Sequence, residues 1–197
     1  DGGGVYIKGN NSHLYIYGSS INDNSAHNGG GISIADKAYS YIGLDQHGDC
    51  WNIKRCNEFM RNTTSTFAGE GGGLYLNDSQ VEMSHTYIGY NRAHIGTAAQ
   101  IENNSNATIT RTTIYKNGEN GNGGWNDKFV INTAGDSTTY LNSSTLGNNQ
   151  ATFATLGANG NSELHVTSSI INETETNLPE NDTSDVSSQE TIAEEAF

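Results

Sequence analysis

The stretch GGGVYIKGNNSHLYIYGSSINDNSAHNGGGISI, residues 2–34, contains the unit from which most of the chain is built. A glycine triplet opens it, two short runs of alternating apolar and polar residues follow, and an Ile-x-x-Asn segment precedes the next triplet. Such alternation with a period of two is typical of half-buried β-strands. The unit therefore predicts short strands separated by tight corners.

The same unit recurs along the chain. An apolar residue stands three places before an asparagine in each repeat, and the basic unit of about 25 residues is lengthened in places by insertions. The anchor pairs are Ile21/Asn24, Phe59/Asn62, Ile88/Asn91, Ile114/Asn117 and Leu146/Asn149, with a degenerate sixth at Ile171/Thr174. The apolar runs that follow the glycine signals are VYI at 5–7, ISI at 32–34, LYL at 74–76, AQI at 99–101 and FVI at 129–131.

A unit of two or three short strands without a helix cannot enclose a core by itself. It must stack on its neighbours, which predicts an all-β parallel β-helix, or solenoid, of about six coils over residues 1–172. The glycine triplets then occupy corners where positive φ or close backbone approach is required. The stacked asparagines are expected to hydrogen-bond to one another and to the backbone as a structural ladder. This ladder consists of Asn24, Asn62, Asn91, Asn117 and Asn149.

The repeats also carry a family resemblance. The alternation of GGGVYI, GGGISI and GGGLYL with INDN, FMRN, IGYN, IYKN and LGNN resembles the GGA[ILV] and FxxN repeats of the polymorphic membrane proteins, which are bacterial autotransporter passengers. More broadly, it resembles the right-handed β-helix repeats of the pectin-lyase-like superfamily. The resemblance covers residues 1 to about 172 and implies a right-handed coil at an extracellular or cell-surface location. Repeats of this kind occur both in adhesins and in polysaccharide lyases.

The charge of the chain bears on its partners. Formal net charge is -13 with only nine Lys and Arg, so a basic stripe for phosphate contacts is lacking and nucleic acid is not expected as a partner. No apolar run is long enough to span a membrane. Residues 173–197 form an acidic tail that loses the repeat, and Ser187-x-x-Glu190 before Ile192 predicts a short helix that caps or docks on the stack.

Two insertions interrupt the stack, at 44–55 and 119–128, and each carries one tryptophan, Trp51 or Trp125. Loops on a rigid scaffold often carry binding residues, so these tryptophans are candidate sugar platforms; the alternative is that they cover an exposed coil edge. Cys50 and Cys56 bracket the segment CWNIKRC in the first insertion. A disulfide there would indicate an oxidising compartment, and two unpaired thiols are the alternative.

The outward positions of the strand that precedes each anchor form a polar column containing tyrosines. Tyrosine rings stack on the apolar faces of sugars, whereas the alternative is that tyrosine is simply a good strand former. The predicted column is Tyr15, Tyr41, Glu82, Thr108, Tyr140 and His165, flanked by His13, Tyr39, Gln80, Asn106, Thr138 and Glu163 on one side and Tyr17, Gly43, Ser84, Thr110, Asn142 and Thr167 on the other.

Catalytic candidates are fewer. A lyase needs a base near carboxylates or a metal that neutralises an acidic substrate. Lys54 and Arg55 lie close in sequence to Asp45, His47 and Asp49, and His85 and Arg111 are expected on adjacent coils. No column gathers three acids, so catalysis is not the preferred interpretation. No cofactor or metal site is predicted; Ca²⁺ at Asp45 and Asp49, or near Asp127, is left open.

These observations favour an extracellular adhesion or glycan-binding segment of a larger secreted protein, with glycans or other host or cell-surface molecules as partners. The first alternative is a polysaccharide lyase or hydrolase. The second is a structural subunit that assembles head to tail into a filament.

Overall fold

The computed structural model describes residues 1–45, 57–65, 68–118 and 128–172. Within these ranges all regular secondary structure is β-strand, as the period-two alternation predicts. Twenty short strands form three six-stranded sheets and one two-stranded sheet, and every strand pair is parallel. The arrangement is compatible with a parallel β-helix, since neighbours in each large sheet come from successive repeats.

The first sheet contains the strands that follow the glycine signals. Its outer columns are largely polar and its inner columns are aliphatic, which fixes the side of the core. In spatial order its strands are β1 (Val5–Lys8), β5 (Ile32–Ala35), β9 (Leu74–Asn77), β12 (Ala99–Glu102), β15 (Phe129–Ala134) and β18 (Ala154–Asn159).

The second sheet contains the strands that precede each anchor, and the third contains the anchors themselves. The second consists of β2 (His13–Tyr17), β6 (Tyr39–Gly43), β10 (Gln80–Ser84), β13 (Asn106–Thr110), β16 (Thr138–Asn142) and β19 (Glu163–Thr167). The third consists of β3 (Ser20–Asn22), β7 (Asn57–Met60), β11 (Thr86–Gly89), β14 (Thr113–Tyr115), β17 (Thr145–Gly147) and β20 (Ile170–Asn172). The small sheet pairs β4 (Ser25–Ala26) with β8 (Thr63–Thr64).

The core is a set of apolar columns that run along the stack. One column joins the anchors of the four inner repeats, which are completely buried and in register: Phe59, Ile88, Ile114 and Leu146. Burial of one such side chain stabilises a fold by about 1.5–3 kcal/mol, so the columns supply most of the driving force. The predicted alignment of anchors is confirmed from Ile21 to Ile171.

The corner after the third sheet explains the asparagine spacing. The residue before each asparagine has positive φ, for example 52° at Arg61 and 58° at Tyr90, which turns the chain sharply. Asn62 Oδ1 accepts hydrogen bonds from the backbone N–H of Asn24, at 3.1 Å, and from the Asn24 side chain, at 3.0 Å. The Asn62 amide also donates to the Ile21 carbonyl at 2.8 Å. The same bonds repeat through Asn91, Asn117 and Asn149, so backbone groups left unpaired by the turn are satisfied.

The glycine triplets occupy the next corner. Gly29 has a φ of +63°, and a Cβ on Gly30 would lie 2.5 Å from the carbonyl oxygen of Thr63. The first position thus needs left-handed backbone and the second needs the absence of a side chain. Adjacent triplets also hydrogen-bond through their backbones, with Gly30 N–H donating to the Gly71 carbonyl at 3.1 Å. Each triplet is therefore the same bend on a successive repeat.

Two details of the first sheet differ from the sequence prediction. Ala99 pairs with Ile131 rather than with Phe129, so FVI at 129–131 was aligned two residues out of register. The backbone carbonyl of Phe129 instead lies at the corner, where it accepts a hydrogen bond from the Thr97 N–H. The strand Ala154–Asn159 was missed because its sequence, ATLGAN, has only weak apolar alternation.

Candidate functional site

The outward face of the second sheet presents the predicted columns. Register pairs Tyr15 with Tyr41, Tyr41 with Glu82, and Tyr140 with His165. The flanking column pairs His13 with Tyr39 in the same way. The order of residues in the columns is thus as predicted from the alternation. These side chains point outward because their neighbours along each strand are the aliphatic residues of the core.

An aromatic patch lies on the first two strands of this face. It is formed by His13, Tyr15, Tyr17, Tyr39 and Tyr41. The Tyr15 and Tyr17 rings stack at 6.5 Å with an angle of 22°, and the Tyr17 and Tyr41 ring centroids lie 5.8 Å apart. His13 contacts the Tyr39 ring edge at 6.0 Å. Tyr15 remains 56% exposed, so the contacts order the rings without covering them.

A carboxylate borders the aromatic patch. Glu82 lies on the next strand, near the Tyr39 hydroxyl. Burial, with Glu82 as a further cause, raises the pKa of Tyr39 to about 12. Tyr39 therefore stays protonated at neutral pH, as a potential donor beside the Glu82 carboxylate.

A smaller aromatic pair lies at the other end of the same face. The Tyr140 and His165 rings stack at 4.8 Å with an angle of 10°. A ring nitrogen of His165 lies 3.0 Å from Glu163, which orients the imidazole. Tyr140 is 38% exposed, so its ring also offers a flat surface to a ligand. The face thus carries aromatic rings near both ends of the stack.

Several sequence candidates lie outside the described residues. They are the loop residues His47, Asp49, Trp51, Lys54, Arg55, Trp125 and Asp127, the cysteines Cys50 and Cys56, and the C-terminal tail 173–197. Asp45 is described: it is half-buried and lies two residues beyond the end of β6. The pairing of Asp45 with these loop residues therefore remains a prediction.

His85 and Arg111 occupy equivalent corners of adjacent repeats, each with positive φ. Burial lowers the pKa of His85, and the positive charge of Arg111 lowers it further. His85 is therefore largely neutral at pH 7. The corner conformation accounts for the position of these residues between the second and third sheets.

A polar cluster that the sequence did not reveal lies outside the first sheet. The Tyr75 hydroxyl donates to Glu102 at 2.5 Å, and Gln100 donates to the other oxygen of Glu102 at 3.1 Å. Glu70 also hydrogen-bonds to Glu102. Burial, and then the adjacent carboxylate, raise the pKa of Glu70 to about 7, so the two acids share a proton in mildly acidic solution.

This carboxyl pair does not have the geometry of a glycoside hydrolase. The catalytic acids of such enzymes lie about 5 Å apart or more, because a sugar or a water must fit between them. Glu70 and Glu102 are within hydrogen-bond distance of each other, which leaves no room for a reacting atom. The cluster instead continues as a chain of amides, from Gln100 to Asn132 at 3.0 Å and then to Asn159 at 2.6 Å.

Ion sites and relatives add no further assignment. Among residues 1–45, 57–65, 68–118 and 128–172, no three His, Cys, Asp or Glu side chains group as metal ligands. A search of the same ranges finds no helix with the length and apolar character needed to cross a membrane. Comparison with known proteins gives no matching family model, no matching curated protein and no matching solved structure.

Proposed function

We propose that the chain is an extracellular or cell-surface glycan-binding module whose ligand lies along the outward face of the second sheet. The observation that carries the proposal is the aromatic patch, in which the exposed Tyr15 and Tyr17 contact each other on one strand and Tyr17 contacts Tyr41 on the next. Sugars stack their apolar faces on such rings while their hydroxyls meet nearby polar groups.

The proposed architecture is a right-handed parallel β-helix of about six coils, formed by closure of the three large sheets. Successive strands of each sheet are parallel and joined through the other two sheets. Connections that join two parallel strands of the same sheet are right-handed in about 98% of cases. The repeats that resemble polymorphic membrane proteins and pectin-lyase-like proteins agree with that hand.

A rigid ladder of strands suits a ligand that is itself a repeating polymer. Strands in a sheet lie about 4.8 Å apart, so equivalent side chains along the face form a regular row of contact points. Between the aromatic patch and the Tyr140–His165 pair, the column contains Glu82 and Thr108, which offer hydrogen-bonding groups. Many weak contacts on one rigid face add up without an ordering cost in the protein.

The decisive experiment is a glycan array followed by calorimetry with the double variant Tyr15→Ala, Tyr17→Ala. We expect the wild type to bind one class of oligosaccharide and the double variant to lose at least about tenfold in affinity, since two stacking contacts of about 1 kcal/mol each are removed. The matched control is Tyr6→Ala, because Tyr6 is equally exposed, at 47%, but lies on the first sheet. Equal binding by all three proteins would contradict the proposal.

The insertion loops require their own variants. Trp51→Ala combined with Trp125→Ala should also weaken binding if the loops contribute platforms to the site. Unchanged affinity would remove the tryptophans from the site and leave the aromatic patch as the binding surface.

Head-to-tail self-association is a second candidate, favoured by the terminal strand β20. Ile171 continues the buried anchor column yet is 46% exposed, and its neighbour Ile170 is 63% exposed. Ile21 begins the same column at the opposite edge of the sheet, so a second copy could extend the column. Such an interface joins unlike ends and would build a filament. Light scattering over a concentration series tests this: a mass that stays monomeric throughout would exclude it, whereas growth abolished by Ile171→Asp would support it.

A further inference from the structure

We infer that the aromatic patch and Glu82 select a polysaccharide that bears protonated amino groups, in preference to neutral or acidic polysaccharides. The inference rests on the proposed function and names the chemical class of its ligand. Three observations carry it: the charges on the face, the arrangement of the rings, and the position of Glu82 beside them.

The outward face of the second sheet has a one-sided charge. Among its described positions there is no Lys or Arg, whereas Glu82 and Glu163 are both present. A polyuronate on this face would bring carboxylates close to Glu82 with no fixed cation to balance them. Because the whole chain has a formal charge of -13, the long-range field also attracts cations and repels polyanions.

The rings of the patch favour a cation for a separate reason. The face of a tyrosine ring attracts an ammonium group within about 6 Å of its centroid, with a free-energy gain of about 0.5–1 kcal/mol at an exposed site. Tyr15 and Tyr17 present parallel, exposed ring faces. The protein already uses such contacts elsewhere, since Lys116 Nζ lies 5.7 Å from the Tyr115 ring.

Glu82 supplies the counter-charge at the patch. Its carboxylate is outward-facing and exposed, in the same column as Tyr41 and beside Tyr39. An ionised carboxylate can accept about four hydrogen bonds, so Glu82 can accept one or more from an ammonium group. Charge-assisted bonds of this kind are the stronger ones, which makes Glu82 the residue that distinguishes an amine from its acetylated form.

The test compares three oligosaccharides of equal length by calorimetry at low salt and mildly acidic pH, at which the amines of glucosamine are protonated: glucosamine, N-acetylglucosamine and galacturonate oligomers. We expect the glucosamine oligomer to bind about fivefold more tightly than its acetylated form, with the preference weakening as salt is added. Glu82→Gln should reduce the preference, because it weakens binding of the glucosamine oligomer more than binding of the acetylated oligomer. The charge-matched control is Asp136→Asn, on an exposed turn between the first and second sheets, which should keep the preference.

The outcomes separate the inference from the function on which it rests. Tighter binding of the acetylated or galacturonate oligomer, or a preference of unchanged size in Glu82→Gln, would overturn the inference while glycan binding itself stands. Failure of the chain to bind any oligosaccharide, on the array as well as in this series, would overturn both.

Discussion

The outward faces of the first and second sheets are built on the same repeats, yet they differ in how their polar residues are used. On the first sheet, Tyr75, Gln100 and Asn132 are buried and bonded to one another or to Glu102. On the second sheet, Tyr15 and Tyr17 stack on each other but stay open to solvent. Tyrosine in a strand therefore does not mark a binding face by itself, since its ring can be buried and hydrogen-bonded as that of Tyr75 is.

The largest expected difference between the two faces is in stability. Tyr75→Ala removes a side chain that is only 6% exposed, together with the hydroxyl that donates to Glu102, so we expect a loss of about 3–5 kcal/mol in the free energy of unfolding. Tyr15→Ala removes a ring that is 56% exposed and should cost no more than about 1 kcal/mol. Urea denaturation of both variants measures the difference, and equal losses would contradict the comparison.

The pH dependence of stability should also separate the faces. The folded-state pKa of Glu70, about 7, lies above its ordinary value of 4.5, so the folded chain holds the proton more tightly than the unfolded chain. The stabilisation is therefore fully present below about pH 4.5 and is lost as the pH rises through about 7.

Glu70→Gln keeps a neutral donor at this position and should reduce the loss of stability at high pH, giving a higher melting temperature than the wild type at pH 8. Melting curves collected across this pH range check the result. Asp136→Asn, on the exposed turn between the first and second sheets, serves as the control and should leave the slope unchanged. A wild-type stability that does not fall between pH 5 and pH 7 would exclude proton sharing between Glu70 and Glu102.

A smaller effect is expected in the titration of Tyr39. Glu82→Gln removes the carboxylate, which is one cause of the raised pKa, while burial of the ring persists. The pKa of Tyr39 should therefore fall from about 12 toward its ordinary value of 10 without reaching it. Ultraviolet absorbance of the phenolate, measured against Tyr39→Phe, follows this change. A pKa that is the same in wild type and variant would show that Glu82 does not contribute to the raised pKa of Tyr39.

The sequence predicted the strands and most of the register because these depend on local alternation and on a repeated Asn. The equivalence of Tyr15, Tyr41 and Tyr140 required only counting from each anchor. Two corner details were harder to predict. Asn57 replaces the serine or threonine found at its corner in other repeats, and its Oδ1 accepts a hydrogen bond from the Ser19 N–H at 3.1 Å. A serine ladder through Ser79 and Ser105 was also missed, because lone serines carry no apolar signal.

The Glu70–Glu102 pair could not be predicted from the sequence for a different reason. Glu70 precedes a glycine triplet, at a corner, and Glu102 ends a strand of the next repeat. Their contact depends on how far each side chain reaches over the turn, which strand periodicity does not determine. The binding candidates in the two insertions, Trp51 and Trp125, lie outside the described residues and stay predictions.

The most direct test of glycan binding on the second sheet is an NMR titration with ring-labelled tyrosine and the best oligosaccharide from the array. If the glycan binds on the second sheet, we expect the resonances of Tyr15, Tyr17 and Tyr41 to shift with a common dissociation constant, while that of Tyr75 does not move. Shifts confined to Tyr75 and Tyr6, on the first sheet, or no shift at saturating ligand, would contradict it.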